Sequence, residues 1–459
     1  MFKRFEDGCT VGVIMPDATE DGSVIVFKNT DASNPNSAKY WHFNEGGKHP
    51  SGSIVQTSYA KLKQVPVTYR HLIEGYYDRW GGSFGVNENN VVVTTDGAPI
   101  KVKRDEVPRD PSKAIGVSDM GRLILERAKT AKEGMEILAD FYESGYSVYM
   151  TCFEITDEKE SWLVETIPPH HFVAKRITSG FYVSPPLQIT DKWDVGSPDI
   201  IDYAIEKGWF KPGAEFNFAK AYGEWPSPYA QPRHDRAMAL LAKKGGEITV
   251  RDIMSVTRDH YEGDIRHYVY PPHTLSFFDA PNRPLCLDRS TNSMIVKIRK
   301  NKKIPKEMRA QIWFCMASPC CSVYTPYYMG VRDVPQPYKK GESYQPKATA
   351  WWVFESLRRK VDENYRLFHP YVRGVWSGMK EMAFSAAPKV EKLAVDAYSR
   401  GDKKGARNIL TSYSNIMCEA AIEQASSLSG CLDKMTQLKT EVSSPSRKNF
   451  RAVQLQDRI

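Results

Sequence analysis

Residues 8–28 read Gly8-Cys9-Thr10-Val11-Gly12-Val13-Ile14-Met15-Pro16-Asp17-Ala18-Thr19-Glu20-Asp21-Gly22-Ser23-Val24-Ile25-Val26-Phe27-Lys28. Val11–Met15 and Ser23–Lys28 are apolar and rich in β-branched residues, which suit a pleated, buried backbone. Between them PDATEDG gathers turn formers and ends in Asp-Gly, a strong hairpin signal. The segment therefore reads as a β-hairpin whose first strand opens on a thiol. Eight residues, MFKRFEDG, precede Cys9. They are too short and too charged for a secretory signal, whose apolar region runs about 7–15 residues. With that octapeptide removed, Cys9 would carry a thiol and a free α-amino group. An amine of pKa about 7.7–8.0 can serve as base for its own side chain. Taken alone, a cysteine at a strand start is more often a small buried side chain, so the rest of the chain has to decide.

The chain has 459 residues, 41% hydrophobic and 12% aromatic. No apolar run approaches the roughly 18 residues of a membrane span, and a membrane partner is not expected. The formal charge of +8 is modest, and part of it sits in Arg299–Arg309 (RKNKKIPKEMR). Asn301 and Pro305 lie inside that run, between two strand-like segments, so it reads as an exposed hairpin loop. No interleaved aromatics or RNA-binding motif accompany it, and no nucleic-acid partner is expected. The eight cysteines form no C-x-x-C pair, and the adjacent Cys320 and Cys321 make no zinc pattern. Free thiols in a reducing cytoplasm, with no metal and no cofactor, are the expectation. The neighbourhoods of His170-His171 and His267 supply no partners at ligand spacing. A homo-oligomer is compatible with the sequence.

After the hairpin come KNTD (28–31) and a polar loop, then strand-like Ser53–Thr57 and Val65–Tyr69. RWGGSFG (79–85) is glycine-rich but lacks the lysine and helix of a phosphate loop. It leads through VNENN to a buried strand, Val91–Thr95. Two helices are expected next, one over about Asp119–Lys129 capped by Ser118, the other opened by the capping box Thr130/Glu133. An antiparallel meander follows in TCFEIT, SWLVETI and HFVAKRI. Further on come a helix at Arg236–Lys243, one capped at Thr249, and strands at Ser293–Arg299 and Gln311–Met316. Strands, a helical pair and a strand meander together imply an α+β layered sheet-and-helix fold. Past about Lys347 the stripes Val353, Leu357, Val361, Tyr365 and Ile409, Tyr413, Ile416, Ala420 predict long amphipathic helices, and residues 435–459 read as a basic flexible tail.

Ten of these segments, in order, resemble one family. They are GCT at Cys9, DATEDGS, KNTD, GVNE at Gly85, LERAKTAKE at Leu125, WLVET at Trp162, FNFAK at Phe216, RDHYEG at Arg258, SVYTPYY at Ser322 and AWWVF at Ala350. The chain is similar to PepD-type dipeptidases, relatives of secernins, within the cysteine N-terminal-nucleophile (Ntn) hydrolases that include penicillin V acylase and bile-salt hydrolase. The likeness runs from residue 9 to about 370. It implies an αββα sandwich over 9–346, self-cleavage between Gly8 and Cys9, and a small-peptide substrate; the helical extension over 347–434 rests on the apolar stripes.

The resemblance also implies site roles. Cys9 attacks the scissile carbonyl and forms an acyl-enzyme. Asp31 holds the α-ammonium group, and Lys28 stands where relatives carry an arginine. Arg236, in PRHDRAM, matches an arginine near the nucleophile. Asn87, Thr95 (or Thr94) and Gln188 are candidates for the oxyanion and substrate positions. One position departs from the family: Pro185 stands where an asparagine donor is expected, and proline offers neither side-chain donor nor N–H. Two other readings stay open, an amidase acting on a non-peptide acyl amide and a secernin-like scaffold that no longer hydrolyses.

Overall fold

The computed structural model describes residues 8–443 apart from 33–37, 77–78, 98–99, 103–109, 149–150, 186, 265–282 and 342–348. The opening hairpin forms as the sequence dictates: β1 (Thr10–Ile14) pairs antiparallel with β2 (Val24–Asp31). Gly22 of the Asp-Gly pair takes φ +70°, the left-handed conformation for which glycine carries no Cβ penalty.

Two antiparallel sheets are stacked. The eight-stranded one is built from β3 (Lys39–Asn44), β4 (His71–Tyr76), β5 (Gly82–Asn87), β6 (Val92–Gly97), β7 (Thr151–Thr156), β8 (Ser161–Ile167), β9 (His171–Ile177) and β11 (Val195–Gly196). It runs in the order β11-β9-β8-β7-β6-β5-β4-β3. The six-stranded sheet adds β10 (Phe181–Ser184), β12 (Ser290–Ile298), β13 (Ala310–Met316) and β14 (Thr325–Tyr328), in the order β10-β1-β2-β12-β13-β14. The expected meander is β7-β8-β9.

Alternation along the strands assigns each face. On β13, Phe314 points inward and stacks on Trp41 of the other sheet, with ring centroids 4.4 Å apart. Its neighbour Trp313 points outward and stacks on Phe384 of a C-terminal helix, also at 4.4 Å. On β6, Val92 joins the core between the sheets, whereas Val93 packs under the helices on the far side. Thr94 and Asp96 therefore share the inner face, and Thr95 the outer one.

Helices α1 (Val117–Arg127) and α2 (Ala131–Glu143) cover the outer face of the eight-stranded sheet through Leu123, Ile124, Met135 and Leu138. α1 starts two residues earlier than expected, from Gly116. The Thr130 cap forms, its side chain accepting from the Glu133 N–H at 3.1 Å, but Glu133 reaches back to the N–H of Lys129, not of Thr130. The outer face of the other sheet is covered by α3 (Gln231–Ala242), α4 (Val250–Val256) and the C-terminal helices α5 (Ala350–Glu363), α6 (Tyr365–Ser399) and α7 (Lys403–Ser443). The layers are αββα. At α4 the Thr249/Asp252 capping box is complete.

The stripe expected on α7 is off by part of a turn. Ile416 is 62% exposed, and the buried line runs through Ala406, Leu410, Tyr413, Met417, Ala421, Leu428 and Leu432. Both lines fit a 3.6-residue period; the observed one sets small alanines where the helices meet. α7 continues to Ser443, nine residues into the stretch read as a tail, and 444–459 lie outside the described residues. The Arg299–Arg309 loop joins β12 to β13 as a hairpin, with residues 300–303 exposed. Its first arginine is not solvated: Arg299 Nη1 donates to Glu391 Oε2 at 2.6 Å.

Two buried carboxyl groups in the eight-stranded sheet make stability depend on pH. Burial raises Glu154 to about 8 and Glu165 to about 7, the latter against N–H bonds from Gln188 and Ile189. The folded chain then holds protons that the unfolded chain has released, so this stabilisation is lost as pH rises toward 8. Burial lowers His42 to about 4 and His71 to about 3, which has the opposite sign, but only below about pH 6.5, where an unfolded histidine charges. The melting temperature should therefore fall between about pH 6.5 and 8, by roughly 1 kcal/mol of stability per pH unit. Glu154→Gln should flatten that slope in a calorimetric pH series. A Tm that rises through the window contradicts the assignment.

Candidate active site

Cys9 lies at the mouth of β1, 8% exposed, with Gly8 still joined to it. Every polar atom of that peptide bond is held. The Gly8 carbonyl accepts from Arg233 Nη1 at 3.1 Å and from Arg283 Nη2 at 2.9 Å. The Cys9 N–H donates to Asp96 Oδ1. Arg233 Nη1 also donates to the Cys9 carbonyl and to Thr10 Oγ1, both at 2.7 Å, while its Nε donates to the Tyr229 carbonyl at 3.0 Å. Both guanidinium groups are buried, at 1% and 0% exposure.

Burial pushes the Cys9 thiol up to about 12; the Lys28 ammonium opposes this, and the Asp96 and Asp31 carboxylates add to it. Lys28, opposite Val11 in the hairpin, is fully buried, and its Nζ donates to the carbonyls of Ser83 (3.1 Å) and Thr95. It is thus locked between the sheets as a cation beside the thiol. In protein with Cys9 accessible, Lys28→Met should move the pH profile of Cys9 alkylation upward, because no nearby cation then favours thiolate. An unchanged profile would reduce Lys28 to a structural bridge.

Asp31 ends β2, and alternation sets it on the face opposite Lys28. Its Oδ2 accepts from Arg283 Nη2 at 2.9 Å and its Oδ1 from Ser290 Oγ at 2.6 Å. Burial raises its pKa, with Arg283 and Ser290 pulling against the rise. It meets Cys9 through its backbone carbonyl, 4.0 Å from Sγ, and through Arg283, which bridges it to Gly8. The carboxylate on the Cys9 nitrogen is Asp96, raised to about 6 by burial against the pull of Arg233 and Lys28. Its Oδ2 is buried with no hydrogen-bond partner among the described residues, so nothing there favours the charged form against burial.

The other sequence candidates lie elsewhere. Arg236, one turn beyond Arg233 on α3, forms a two-pronged pair with Asp259 (2.9 and 2.7 Å) and donates to the Glu262 carbonyl, so the structure does not bring it to Cys9. Asn87 donates to Leu125 and Ala128 carbonyls at 2.9 and 2.7 Å and accepts from the N–H groups of Asn89 and Val91. It braces the turn into β6, at the end of that strand opposite Asp96. The Thr95 hydroxyl, on the outer face, donates to the Ser83 carbonyl at 3.4 Å. The Gln188 N–H donates to Glu165 Oε1 at 2.6 Å, and its carbonyl accepts from Tyr182 Oη. Pro185 is buried directly after β10, whose last pair is Val11–Ser184; lacking an N–H, it ends the ladder one step short of Thr10. His171 pairs with Asp199 at 3.2 Å, and His267 lies outside the described residues.

Sequence reasoning missed Arg233, Arg283 and Asp96. Two carried a signal: Arg233 shares the PRHDR motif with Arg236, and Asp96 follows Thr94 by two on a buried strand, a charge on an inner face. Arg283, 252 residues from Asp31, carried none.

Residues 8–378 match the model of peptidase family C69. Probable dipeptidase A of Streptococcus pyogenes serotype M18 (strain MGAS8232) is 25% identical over 398 residues, 78% of this chain and 82% of that protein. Its counterpart in serotype M3 (strain SSI-1) is 25% identical over 399 residues, 78% of this chain and 83% of that one. Among solved structures, a mutant of conjugated bile acid hydrolase from Clostridium perfringens aligns over 74% of this chain and 98% of that one. That alignment has 13% identity and a TM-score of 0.39, too loose a superposition to carry an argument. The family match takes in Cys9, Lys28, Asp31, Asp96, Arg233 and Arg283, and the chain belongs to peptidase family C69, as a cysteine-type hydrolase.

Proposed function

We propose that this chain is a self-processing dipeptidase, in which Cys9 first cleaves the Gly8–Cys9 bond and then, as the N-terminal residue, hydrolyses dipeptides and other small peptides. The observation that carries the reading is the grip on that bond: two guanidinium nitrogens on the Gly8 carbonyl and a carboxyl group on the Cys9 nitrogen. In the first reaction Cys9 Sγ attacks the Gly8 carbonyl carbon, and the oxygen becomes an oxyanion between Arg233 and Arg283. The thiol proton passes by way of Asp96 to the Cys9 nitrogen, the C–N bond breaks, and a thioester remains. Water cleaves it, releasing Gly8 as a carboxylate and restoring the thiol.

Departure of Gly8 then leaves its carbonyl slot to a substrate carbonyl, and the same two arginines serve as oxyanion donors. That supplies what Pro185 withholds, without Gln188 or Thr95. The new α-amino group sits on Asp96, placed to act as base for the thiol. The names of the dipeptidase A relatives point to dipeptides, and a slot shaped by one glycyl carbonyl suits a small peptide.

The test is turnover by purified processed protein of a panel of dipeptides, tripeptides and N-acyl amides. Dipeptide hydrolysis with kcat/KM at least tenfold above the acyl amides is expected; preference for the amides overturns the substrate assignment, and no turnover of either class overturns the reading.

A further inference from the structure

Far apart in sequence, three metal-binding side chains meet on the other side of the loop that grips Asp31. His260 follows α4, Cys286 lies between Arg283 and Ser290, and Cys320 lies in the loop after β13. All are buried, and one histidine nitrogen and the two sulfurs lie within 4.8 Å of one another. Spacings of 26 and 34 residues hide the cluster from any reading of motifs.

We infer that His260, Cys286 and Cys320 bind one zinc-class divalent cation. Two thiolates and an imidazole are a standard donor set for Zn²⁺, with a fourth position for an oxygen. Ser318 Oγ supplies that oxygen, 3.2 Å from Cys286 Sγ and 3.4 Å from Cys320 Sγ, with its own proton on the Leu287 carbonyl at 2.7 Å. The imidazole is oriented from behind. Glu262 Oε1 holds His260 Nδ1 at 3.0 Å, and Glu262 Oε2 accepts the His260 N–H at 2.7 Å, so Nε2 is the nitrogen turned to the metal. A carboxylate behind a histidine is the usual support of a zinc ligand.

Bonds of about 2.3 Å to sulfur and 2.0–2.1 Å to nitrogen set tetrahedral ligand atoms roughly 3.5–3.8 Å apart. The cluster must therefore close by about 1 Å at most, a side-chain movement. Binding releases the two thiol protons, leaving two thiolates and a neutral imidazole around a dication. A cavity of about 460 Å³ reaches His260, Glu262 and Cys320. Cys321, whose sulfur is 3.6 Å from that of Cys320, stands outside the three-atom set. The ion would tie down the 283–290 loop from which Arg283 and Ser290 hold Asp31.

The test uses the full chain, reduced, stripped with a chelator and dialysed. Wild type should take up one equivalent of Zn²⁺, gain in Tm, and with Co²⁺ develop a thiolate-to-cobalt charge-transfer band. Cys286→Ser and Cys320→Ser should each lose about 100-fold or more in affinity together with the band, and Cys321→Ser should lose neither. Glu262→Gln, which leaves all three ligands in place, should lose about 10–100-fold and decides the matter if the cysteine variants do not fold. Cys9→Ala should bind Zn²⁺ like wild type, which keeps this outcome separate from that of the nucleophile. The inference fails if wild type retains no Zn²⁺, if Cys286→Ser, Cys320→Ser and Glu262→Gln all bind as wild type does, or if Cys9→Ala abolishes uptake.

Discussion

Purified Cys9→Ala protein is expected to retain residues 1–8, whereas wild type is expected to begin at Cys9. An alanine has no atom to attack the Gly8 carbonyl, so intact mass spectrometry should show the two proteins differing by the whole octapeptide. Peptide hydrolysis should fall by about 10⁴-fold or more, since both the nucleophile and its amine base are lost. Folding should hardly change, because an Ala Cβ fits where Cys9 packs; Tm and circular dichroism check this. Retention of residues 1–8 by an active wild type would refute the N-terminal-nucleophile mechanism. An inactive wild type that retains them would leave a folded, unreacted precursor, and Arg283 would then be the place to look.

Arg283→Lys is expected to slow self-cleavage by about 10²–10³-fold, the range lost when one preorganised oxyanion donor is removed. Both contacts leave one nitrogen, Arg283 Nη2, and the shorter lysine stem, though it keeps a positive charge near Asp31, sets its ammonium short of the bridge to the Gly8 carbonyl. Arg233→Lys should slow cleavage similarly. The pair should exceed additivity, because each single variant leaves the other donor on the same oxygen and the double variant leaves neither. Rates are read by following the precursor mass after refolding. Cleavage at the wild-type rate in Arg283→Lys would mean that its contact with Gly8 is only structural. In protein already cleaved, the same substitutions should lower kcat more than they raise KM, since the interaction strengthens as charge develops on oxygen.

The layered fold was legible because its signals are local. Strand alternation, the Asp-Gly turn and the caps at Thr130 and Thr249 each depend on a few neighbouring residues. The site was half legible. Cys9, Lys28 and Asp31 sit in one hairpin, where register follows from the turn. Arg233 was missed for Arg236 because helix period alone does not say which of two arginines one turn apart faces the neighbouring strand. Thr95 was a candidate and Asp96 was not, and one step along a strand reverses the face. Arg283, like the His260, Cys286 and Cys320 cluster, depends on contacts between remote segments, and those are fixed by topology, not by neighbours in the chain.

The distance between Asp31 and Arg283 also sets a clock. The two residues are 252 positions apart, and β2 gains its partner β12 only after residue 290 has been made. At about 5–20 residues per second, synthesis separates them by roughly 13–50 s. Throughout that interval the nascent chain carries Cys9 with no Arg283 to bridge Asp31 and Gly8 and with β2 lacking its partner β12. A bond that is cut only when Arg283 closes on it cannot be cut on a chain that stops short of that residue, so release of the leader would report that the chain has been made and folded at least through the pairing of β2 with β12.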